Sequence, residues 1–277
     1  MSKLPFKQVD VFTQQPFQGN PVAVVLGAEG LDAGSMQRIA RWTNLSETTF
    51  LLKSTVADYR LRIFTPAMEL PFAGHPTIGS AHAVLESNFL GLGRKTRLTQ
   101  ECGAGVLSLM VDDGKIFVKS PKRAFRVLDP VAGIPLKPGS QFIAVDVGPK
   151  WAIGEVADAK ALAALKPDMT ALAEWSNALG VTGVTVFAKS DDCVAALHVR
   201  SFAPAHGIPE DPVCGSGNIA VAAFLRRTGS ELLKDQYIAR QGAQVGRDGR
   251  VHLRLEGDDI YLGGNAITCI EGSLAAP

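Results

Sequence analysis

Two segments of the chain are apolar nearly all the way round a helix. One covers about residues 76–85 and includes Thr-Ile-Gly-Ser-Ala-His-Ala-Val, and the other covers 216–225. A helix without a polar face is buried on all sides. Each segment lies among short apolar or alternating runs that are typical of strands. The pattern therefore predicts an α+β fold in which two buried central helices are each surrounded by a curled mixed sheet.

The remaining predicted elements are short. A further helix ends near Thr43, with Asp32 or Ser35 as its N-cap and Met36, Ile39 and Ala40 on its apolar face. Asp112-Asp113-Gly114 is typical of a hairpin turn. Strands are predicted at residues 6–12, 21–26, 48–53, 58–64, 97–100, 105–111, 115–119, 237–242, 251–256 and 259–262.

The chain also repeats itself. Arg62-Ile-Phe64-Thr-Pro66-Ala67 matches Arg200-Ser-Phe202-Ala-Pro204-Ala205 at Arg, Phe, Pro and Ala, a period near 138 residues. Such a period is too long for stacked solenoid units and predicts two copies of one domain. We expect an N-terminal lobe, 1–122, with 264–277 as its candidate completion, and a C-terminal lobe, 123–263. The active site is expected in the cleft between them. The same offset also pairs Pro71 with Pro209 and Gly79 with Gly217.

Composition narrows the class of protein. The chain is 46% hydrophobic and 20% charged with a formal charge of +1, which is typical of a globular protein that binds neither nucleic acid nor an anionic membrane. No apolar run of about 18 residues and no secretory h-region is found. Four cysteines lack CxxC or zinc-finger spacing, so free thiols in a reducing cytoplasm are expected, with two disulfides as the alternative.

The first candidate for chemistry is Glu47, in the polar turn Asn44-Leu-Ser-Glu-Thr48 between a helix and an apolar strand. A structural interpretation is that its carboxylate satisfies backbone donors in the turn. However, the matching stretch of the second copy, Gly183-Val-Thr-Val-Phe187, has no acid. A carboxylate present in one copy and absent from the other is not required by the shared architecture.

The second candidate is the turn that opens the first buried helix, Pro71-Phe-Ala-Gly74-His75-Pro. Gly74 permits close approach of the backbone, and helix N-termini bind anions. His75 is a candidate for positioning a substrate or shuttling a proton, with capping of the turn as the alternative. His82 is interpreted as a core histidine, and no role is assigned to His198, His206 and His252.

The third candidate opens the second buried helix and reads Pro209-Glu-Asp211-Pro-Val-Cys214-Gly215-Ser216-Gly-Asn218. The amides of Gly215 and Ser216 are expected to hold a carboxylate, aided by the helix dipole. The alternative is an N-cap by Asp211 or Ser216 without chemistry. No Gly-x-Ser-x-Gly elbow and no dinucleotide-binding glycine pattern occurs, and without an HExxH or His-x-His motif a metal is not expected.

With these motifs the sequence resembles the PhzF-type phenazine-biosynthesis isomerase family, within the diaminopimelate-epimerase-like fold group. The similarity covers nearly the whole chain. The matching motifs include Gly19-Asn-Pro-Val, Asn44-Leu-Ser-Glu47-Thr, Glu69-Leu-Pro-Phe-Ala-Gly-His75-Pro, Glu210-Asp-Pro-Val-Cys-Gly-Ser216-Gly, and Gln241-Gly.

The resemblance implies two pseudo-symmetric lobes, a homodimer and no cofactor. It implies Glu47 as the proton-shuttling acid/base, with His75 and Asp211 as helpers. Gly74, Gly215 and Ser216 would hold the substrate carboxylate. Apart from the resemblance, Cys214 in the same motif is a further candidate for substrate contact.

Cys214 departs from the PhzF pattern, which usually has threonine there, and resembles the catalytic thiol of the epimerase relatives. Aligning Ala-Gly-His with Cys-Gly-Ser places Ala73 at the matching first-copy position, so a two-thiol epimerase is disfavoured. Two interpretations remain, a mixed pair with Glu47 or a small polar residue at a helix start.

We therefore expect a cytoplasmic, cofactor-independent isomerase that moves a proton within a small carboxylate-bearing metabolite, with Glu47 as general acid/base. One alternative is an amino-acid epimerase or racemase that uses Cys214 with a second base. The other is a non-catalytic binding protein on the same fold.

Overall fold

The computed structural model describes residues 3–120, 123–129 and 133–276. The chain divides into two compact units, the first formed by Met1–Lys119 with Gly263–Pro277 and the second by Ser120–Leu262. Residues 121–122 and 130–132, at and shortly after the predicted boundary between the lobes, lie outside the described residues. No described helix has the length and apolar composition needed to cross a membrane.

Most of the secondary-structure elements along the chain are β-strands. In chain order the elements are β1 (Lys3–Val11), β2 (Asn20–Val25), α1 (Ala33–Thr43), β3 (Thr48–Leu52), β4 (Tyr59–Phe64), β5 (Glu69–Leu70), α2 (Gly74–Glu86), β6 (Arg97–Cys102), β7 (Gly105–Asp112), β8 (Lys115–Lys119), β9 (Ala124–Val127), β10 (Ile143–Asp146), β11 (Lys150–Glu155), α3 (Ala159–Ala164), α4 (Met169–Leu179), β12 (Gly183–Lys189), β13 (Leu197–Ala203), β14 (Ile208–Asp211), α5 (Gly215–Thr228), β15 (Gln236–Gln241), β16 (Gly249–Glu256), β17 (Asp259–Gly264) and β18 (Ala266–Ala275).

The first unit is a mixed sheet that surrounds α2. β1 pairs antiparallel with β2 and along its length with β18, while β2–β3 and β4–β6 are parallel pairs. α2 packs against β1, β2, β8 and β18. The fit is tight, since a Cβ added at Gly79 would lie 2.5 Å from Cγ1 of Val22. The buried central helix is confirmed.

The second unit repeats this arrangement around α5. β11–β12 and β13–β15 are parallel pairs, and β12–β13 and β15–β16 are antiparallel pairs. α5 packs against β10, β11, β12 and β16, and its residues from Asn218 to Leu225 are all buried. A separate apolar cluster forms between this sheet and α3 and α4, where Phe142 and Trp175 meet with ring centroids 6.4 Å apart.

Helix α1 follows the predicted pattern. The side chain of Asp32 caps it by accepting a hydrogen bond of 2.7 Å from the backbone N–H of Ser35. Met36, Ile39 and Ala40 are buried together against β3 and β4. Asn44 ends the helix in the left-handed conformation. The apolar spacing and the cap residue therefore suffice to explain both ends of this helix.

The two copies do not keep one offset along their length. The repeat holds at the arginines, because Arg62 binds Glu69 through two N–H groups and Arg200 binds Glu210 in the same way. The two buried helices then begin at Gly74 and Gly215.

The connection after β13 is longer than that after β4, because it contains a short 3₁₀ helix, Pro204–His206. The predicted pairing of Pro71 with Pro209 is therefore wrong, and Pro71 corresponds to Pro212. The pairing of Gly79 with Gly217 is wrong for the same reason.

Candidate active site

Glu47 lies in the first unit, directly before the buried strand β3. Its carbonyl oxygen accepts a hydrogen bond of 3.3 Å from the backbone N–H of Ala23 on the neighbouring strand β2. The sheet therefore fixes the backbone that carries the carboxyl group.

The carboxyl group of Glu47 meets the ring of His75 in the same unit. Its Oε2 lies 3.3 Å from Nε2 of His75, and the two side chains are only 15% and 8% exposed. His75 is the second residue of α2, which begins at Gly74 after Ala73, whose side chain offers no cap. The structure thus brings together Glu47, Gly74 and His75 of the predicted site residues.

Burial changes the acidity of Glu47. Desolvation of the charged form raises its pKa from 4.5 to about 7, and a hydrogen bond with Ser46 opposes part of this rise. A general acid/base works best when its pKa lies near the operating pH. The carboxyl group is therefore suited both to donate and to accept a proton at neutral pH.

The second copy has glycine in place of this acid. Thr48 pairs with Phe64 in the first unit, and Val184 pairs with Phe202 in the second, so Gly183 is the counterpart of Glu47. A Cβ added at Gly183 would lie 2.0 Å from the carbonyl oxygen of Phe202. Any side chain there would collide with the backbone, so the second copy cannot carry an acid at this position.

The third candidate, the motif from Pro209 to Asn218, lies in the second unit, between β14 and α5. Oδ1 of Asp211 accepts a hydrogen bond of 3.0 Å from the backbone N–H of Val213, which closes the turn. The helix N-cap is Cys214, whose sulfur accepts from the backbone N–H of Gly217 at 3.3 Å. The alternative in which Asp211 or Ser216 is the N-cap is therefore wrong, because Asp211 lies too far upstream and Ser216 is already helical.

Ser216 is held by a residue that the sequence did not single out. The indole N–H of Trp151 on β11 donates to Oγ of Ser216 at 2.9 Å. An indole N–H can only donate, so the serine oxygen accepts here and its own proton remains available for another acceptor. The sulfur of Cys214, 3.6 Å from this oxygen, is one such acceptor, and a bound carboxylate would be another.

The thiol of Cys214 is poorly suited to act as a base. Burial, with the nearby charge of Asp211, raises the pKa of this thiol well above 9. Since only the thiolate is a good base or nucleophile, a neutral buried thiol is typically inert. All four cysteines, Cys102, Cys193, Cys214 and Cys269, are free, as expected.

His82 has structural partners. Nε2 of His82 lies 3.2 Å from Oγ1 of Thr268 and 3.8 Å from Oε2 of Glu86. These contacts agree with a core histidine that is satisfied by neighbouring strands and its own helix. His198 lies 3.1 Å from Asp191 in the second unit.

The described residues contain no group of three or more His, Cys, Asp or Glu that could hold a metal ion. The sequence analysis assigned no role to two buried amides beside the third candidate motif, Asn218 and Gln241. Asn218 is the last residue of that motif, and Gln241-Gly242 is among the family motifs.

With this geometry established, comparison with known proteins identifies the family. The profile of phenazine biosynthesis-like proteins, PhzC-PhzF, matches residues 9–272. The chain belongs to the PhzF family. The trans-2,3-dihydro-3-hydroxyanthranilate isomerase of Pseudomonas aeruginosa is 35% identical, over 95% of this chain and 96% of its own length. "Antisense-enhancing sequence 1" of Schizosaccharomyces pombe is 38% identical, over 98% and 99%.

Solved structures of the PhzF family share this fold. The Bacillus anthracis PhzF-family protein superposes with a TM-score of 0.88 at 27% identity, over 99% of this chain and 100% of that one. A hydroxyproline epimerase from Agrobacterium vitis has a TM-score of 0.65 at 16% identity, over 99% and 92%, and shows the shared fold alone. The PhzF family and its named relatives identify the protein as an isomerase, with an α+β fold as predicted.

Proposed function

We propose that the protein moves a proton within a small carboxylate-bearing metabolite, with Glu47 as the general acid/base. The observation that carries this proposal is the carboxyl group of Glu47, buried beside Nε2 of His75 at 3.3 Å, with its pKa raised to about 7. Such a group is present in both protonation states at neutral pH. One side chain can therefore supply a proton to one atom of the substrate and remove a proton from another.

The proposed step balances without a further reactant. Glu47 removes a proton from one substrate atom, the double bond moves, and the same carboxyl returns a proton elsewhere. No electrons leave the substrate, so side chains suffice, and we propose that no cofactor takes part. His75 would stabilise the ionised carboxylate through the 3.3 Å contact while the proton resides on the substrate. General acid–base catalysis of this kind contributes about 10²- to 10⁴-fold to the rate.

Each buried helix, taken by itself, offers donors in its first turn that suit a carboxylate. The backbone N–H groups at Gly74, Gly215 and Ser216 lie where a helix has no internal acceptor. Helix N-termini favour anions through these amides and the helix dipole. The hydroxyl of Ser216 adds a donor, since Trp151 already uses its oxygen as acceptor. Asp211 would bind a donor group of the substrate.

An epimerase or racemase that uses Cys214 fits less well. The thiol has a raised pKa and its sulfur accepts the N–H of Gly217 as a helix cap. Ala73 takes the corresponding place before α2. A two-thiol epimerase is therefore disfavoured, and for an epimerase that uses Cys214 with a second base the raised pKa of the thiol makes the carboxyl of Glu47 the better base.

The test compares Glu47→Gln with Glu174→Gln, an exposed glutamate on α4. The probe is trans-2,3-dihydro-3-hydroxyanthranilate, the compound named for the Pseudomonas aeruginosa relative, followed by absorbance and by NMR in D₂O. We expect Glu47→Gln to lower kcat by at least about 100-fold, and Glu174→Gln to match the wild type. A Glu47→Gln enzyme within about 3-fold of wild type would overturn the proposed role.

A further inference from the structure

Two buried amides tie the Asp211–Ser216 loop to the interior of the second unit. Nε2 of Gln241 donates to the carbonyl oxygen of Asp211 at 3.0 Å, and Nδ2 of Asn218 donates to Oε1 of Gln241 at 2.9 Å. The same Nδ2 donates to the carbonyl oxygen of Cys214 at 2.8 Å. Gln241 and Asn218 are 2% and 1% exposed, so water does not compete for these bonds.

The direction of each hydrogen bond in this network is fixed, because each side-chain amide can be placed in only one orientation. Both protons of the Asn218 amide are used, one by Gln241 and one by Cys214. Turning either amide over would place its oxygen against an acceptor or its N–H₂ against a donor. Only one arrangement of the two amides makes all three of these hydrogen bonds, although Oδ1 of Asn218 is buried without a hydrogen-bond partner in it. The backbone at Asp211 and at Cys214 is therefore held at two points.

The adjoining backbone leaves the loop little room to move. A Cβ added at Gly242 would lie 2.6 Å from the carbonyl oxygen of Pro212, and one at Gly249 would lie 2.4 Å from Cγ2 of Val213. Both glycines follow the buried amides in sequence, at the end of β15 and the start of β16. The end of β15 and the start of β16 thus pack directly against the Asp211–Ser216 loop.

The first copy lacks this attachment. Cys102 pairs with Gly105 as Gln241 pairs with Gly249, so Cys102 is the counterpart of Gln241. Thr77 is the counterpart of Asn218, and it accepts from Nε2 of Gln100 at 3.2 Å. The amide attachment is therefore not required by the shared architecture. It occurs in the copy whose loop carries Asp211, Cys214 and Ser216.

We propose that Gln241 and Asn218 are positioning residues, which hold the Asp211–Ser216 loop in the conformation that its substrate-contacting groups need. This rests on the proposed function, in which Asp211, Gly215 and Ser216 contact the substrate. In this proposal the two buried amides act through the loop and not by contact with the substrate. The two amides hold the carbonyl groups of Asp211 and Cys214, and this fixes the positions of the backbone N–H groups that follow them.

The test uses Gln241→Met, which keeps length and removes the donor, with Gln100→Met as the matched control. Gln100 is a buried glutamine on β6 that donates a hydrogen bond to Thr77 and makes none with the Asp211–Ser216 loop. Asn218→Thr is a second variant, since it imports the residue that the first copy uses at this position. Hydrogen exchange of the amides of residues 213–217 is measured first, because it needs no substrate.

We expect Gln241→Met and Asn218→Thr to speed exchange at Val213 and Gly217 by about 10-fold or more, while Gln100→Met leaves these amides unchanged. With trans-2,3-dihydro-3-hydroxyanthranilate as probe, kcat/KM should fall by about 10-fold or more for Gln241→Met but stay within about 2-fold for Gln100→Met.

Unchanged exchange in the loop, or faster exchange with an unchanged kcat/KM, would overturn the positioning role. A wild-type enzyme that leaves the compound unaltered counts against the proposed function instead. In that case the exchange result alone decides the role of Gln241 and Asn218.

Discussion

The sulfur of Cys214 accepts a hydrogen bond from the backbone N–H of Gly217 at 3.3 Å and so caps helix α5. Cysteine is an uncommon cap, and serine or threonine would supply a stronger acceptor in the same geometry. The thiol is buried, and its pKa is raised by that burial. This relationship favours a structural role for the residue that most resembled a catalytic thiol in the sequence.

Replacing the cap should therefore affect stability. We expect Cys214→Ala to lower the free energy of unfolding by about 1–2 kcal/mol, since the N–H of Gly217 loses its acceptor and a small void forms. Cys214→Ser should retain most of the stability, because its hydroxyl can accept the same bond. Urea denaturation of both variants measures the difference. Equal stability of Cys214→Ala and wild type would contradict the capping role.

Thiol labelling gives a second prediction about the same residue. At pH 8 the native protein should react with iodoacetamide first at Cys193, which is exposed, and only after unfolding at Cys214, which is buried with a raised pKa. Peptide mass spectrometry at successive times separates the four cysteines. Early alkylation of Cys214 in the native protein would show an accessible thiolate and would favour an epimerase that uses Cys214 as a base.

The two copies of the arginine–glutamate pair should contribute unequally to stability. Arg200 and Glu210 are 6% and 11% exposed, and Arg200 also donates to the carbonyls of Leu162 and Leu165. Breaking a buried pair leaves an uncompensated charge, so Glu210→Gln should cost about 2–4 kcal/mol.

The first-copy pair serves as the internal control. Arg62 and Glu69 are 21% and 41% exposed, so Glu69→Gln should cost less than about 1 kcal/mol. Denaturation of the two variants under one buffer condition measures both costs. Similar losses for Glu69→Gln and Glu210→Gln would contradict the burial argument.

Much of the architecture was predictable from the sequence. The segments at 76–85 and 216–225 lack a polar face, and both became buried central helices, α2 and α5. Glu47 stood out because Gly183 replaces it in the second copy, and the strand pairings agree with that correspondence. These features depend on local pattern, which a single sequence contains.

Other features depend on contacts that pattern does not encode. The short 3₁₀ helix after β13 shifts the offset between the copies, and nothing in the shared Pro and Ala positions revealed it. Trp151 lies 65 residues before Ser216 on a strand that was not predicted, so their hydrogen bond could not be anticipated. The strand that carries Gln241 was predicted, but its hydrogen bond with the carbonyl oxygen of Asp211 could not be anticipated.

Stability should depend on pH through Glu47. Its pKa is raised from 4.5 to about 7 in the folded protein, so the folded state holds a proton that the unfolded state has lost. The resulting stability is fully present below about pH 4.5 and is lost as pH rises through about 7. Above that pH the buried charge costs at most roughly 3 kcal/mol.

Glu47→Gln removes this pH-dependent cost. The stability of Glu47→Gln relative to wild type should therefore increase between pH 5 and pH 8 by about 2–3 kcal/mol. Urea denaturation at the two pH values measures it, with Glu174→Gln as the control for an exposed substitution. A difference between Glu47→Gln and wild type that is the same at both pH values would contradict burial of an ionising carboxyl.

Ionisation of the buried Glu47 carboxyl group near neutrality can be measured directly by NMR, without any substrate. Protein labelled with ¹³C at the glutamate carboxyls is titrated from pH 3 to pH 9, and the spectrum of Glu47→Gln identifies the Glu47 signal. We expect a titration midpoint for Glu47 near pH 7. A midpoint near pH 4.5 would show an ordinary, solvated carboxylate and would rule out Glu47 as a buried acid/base that ionises near neutrality.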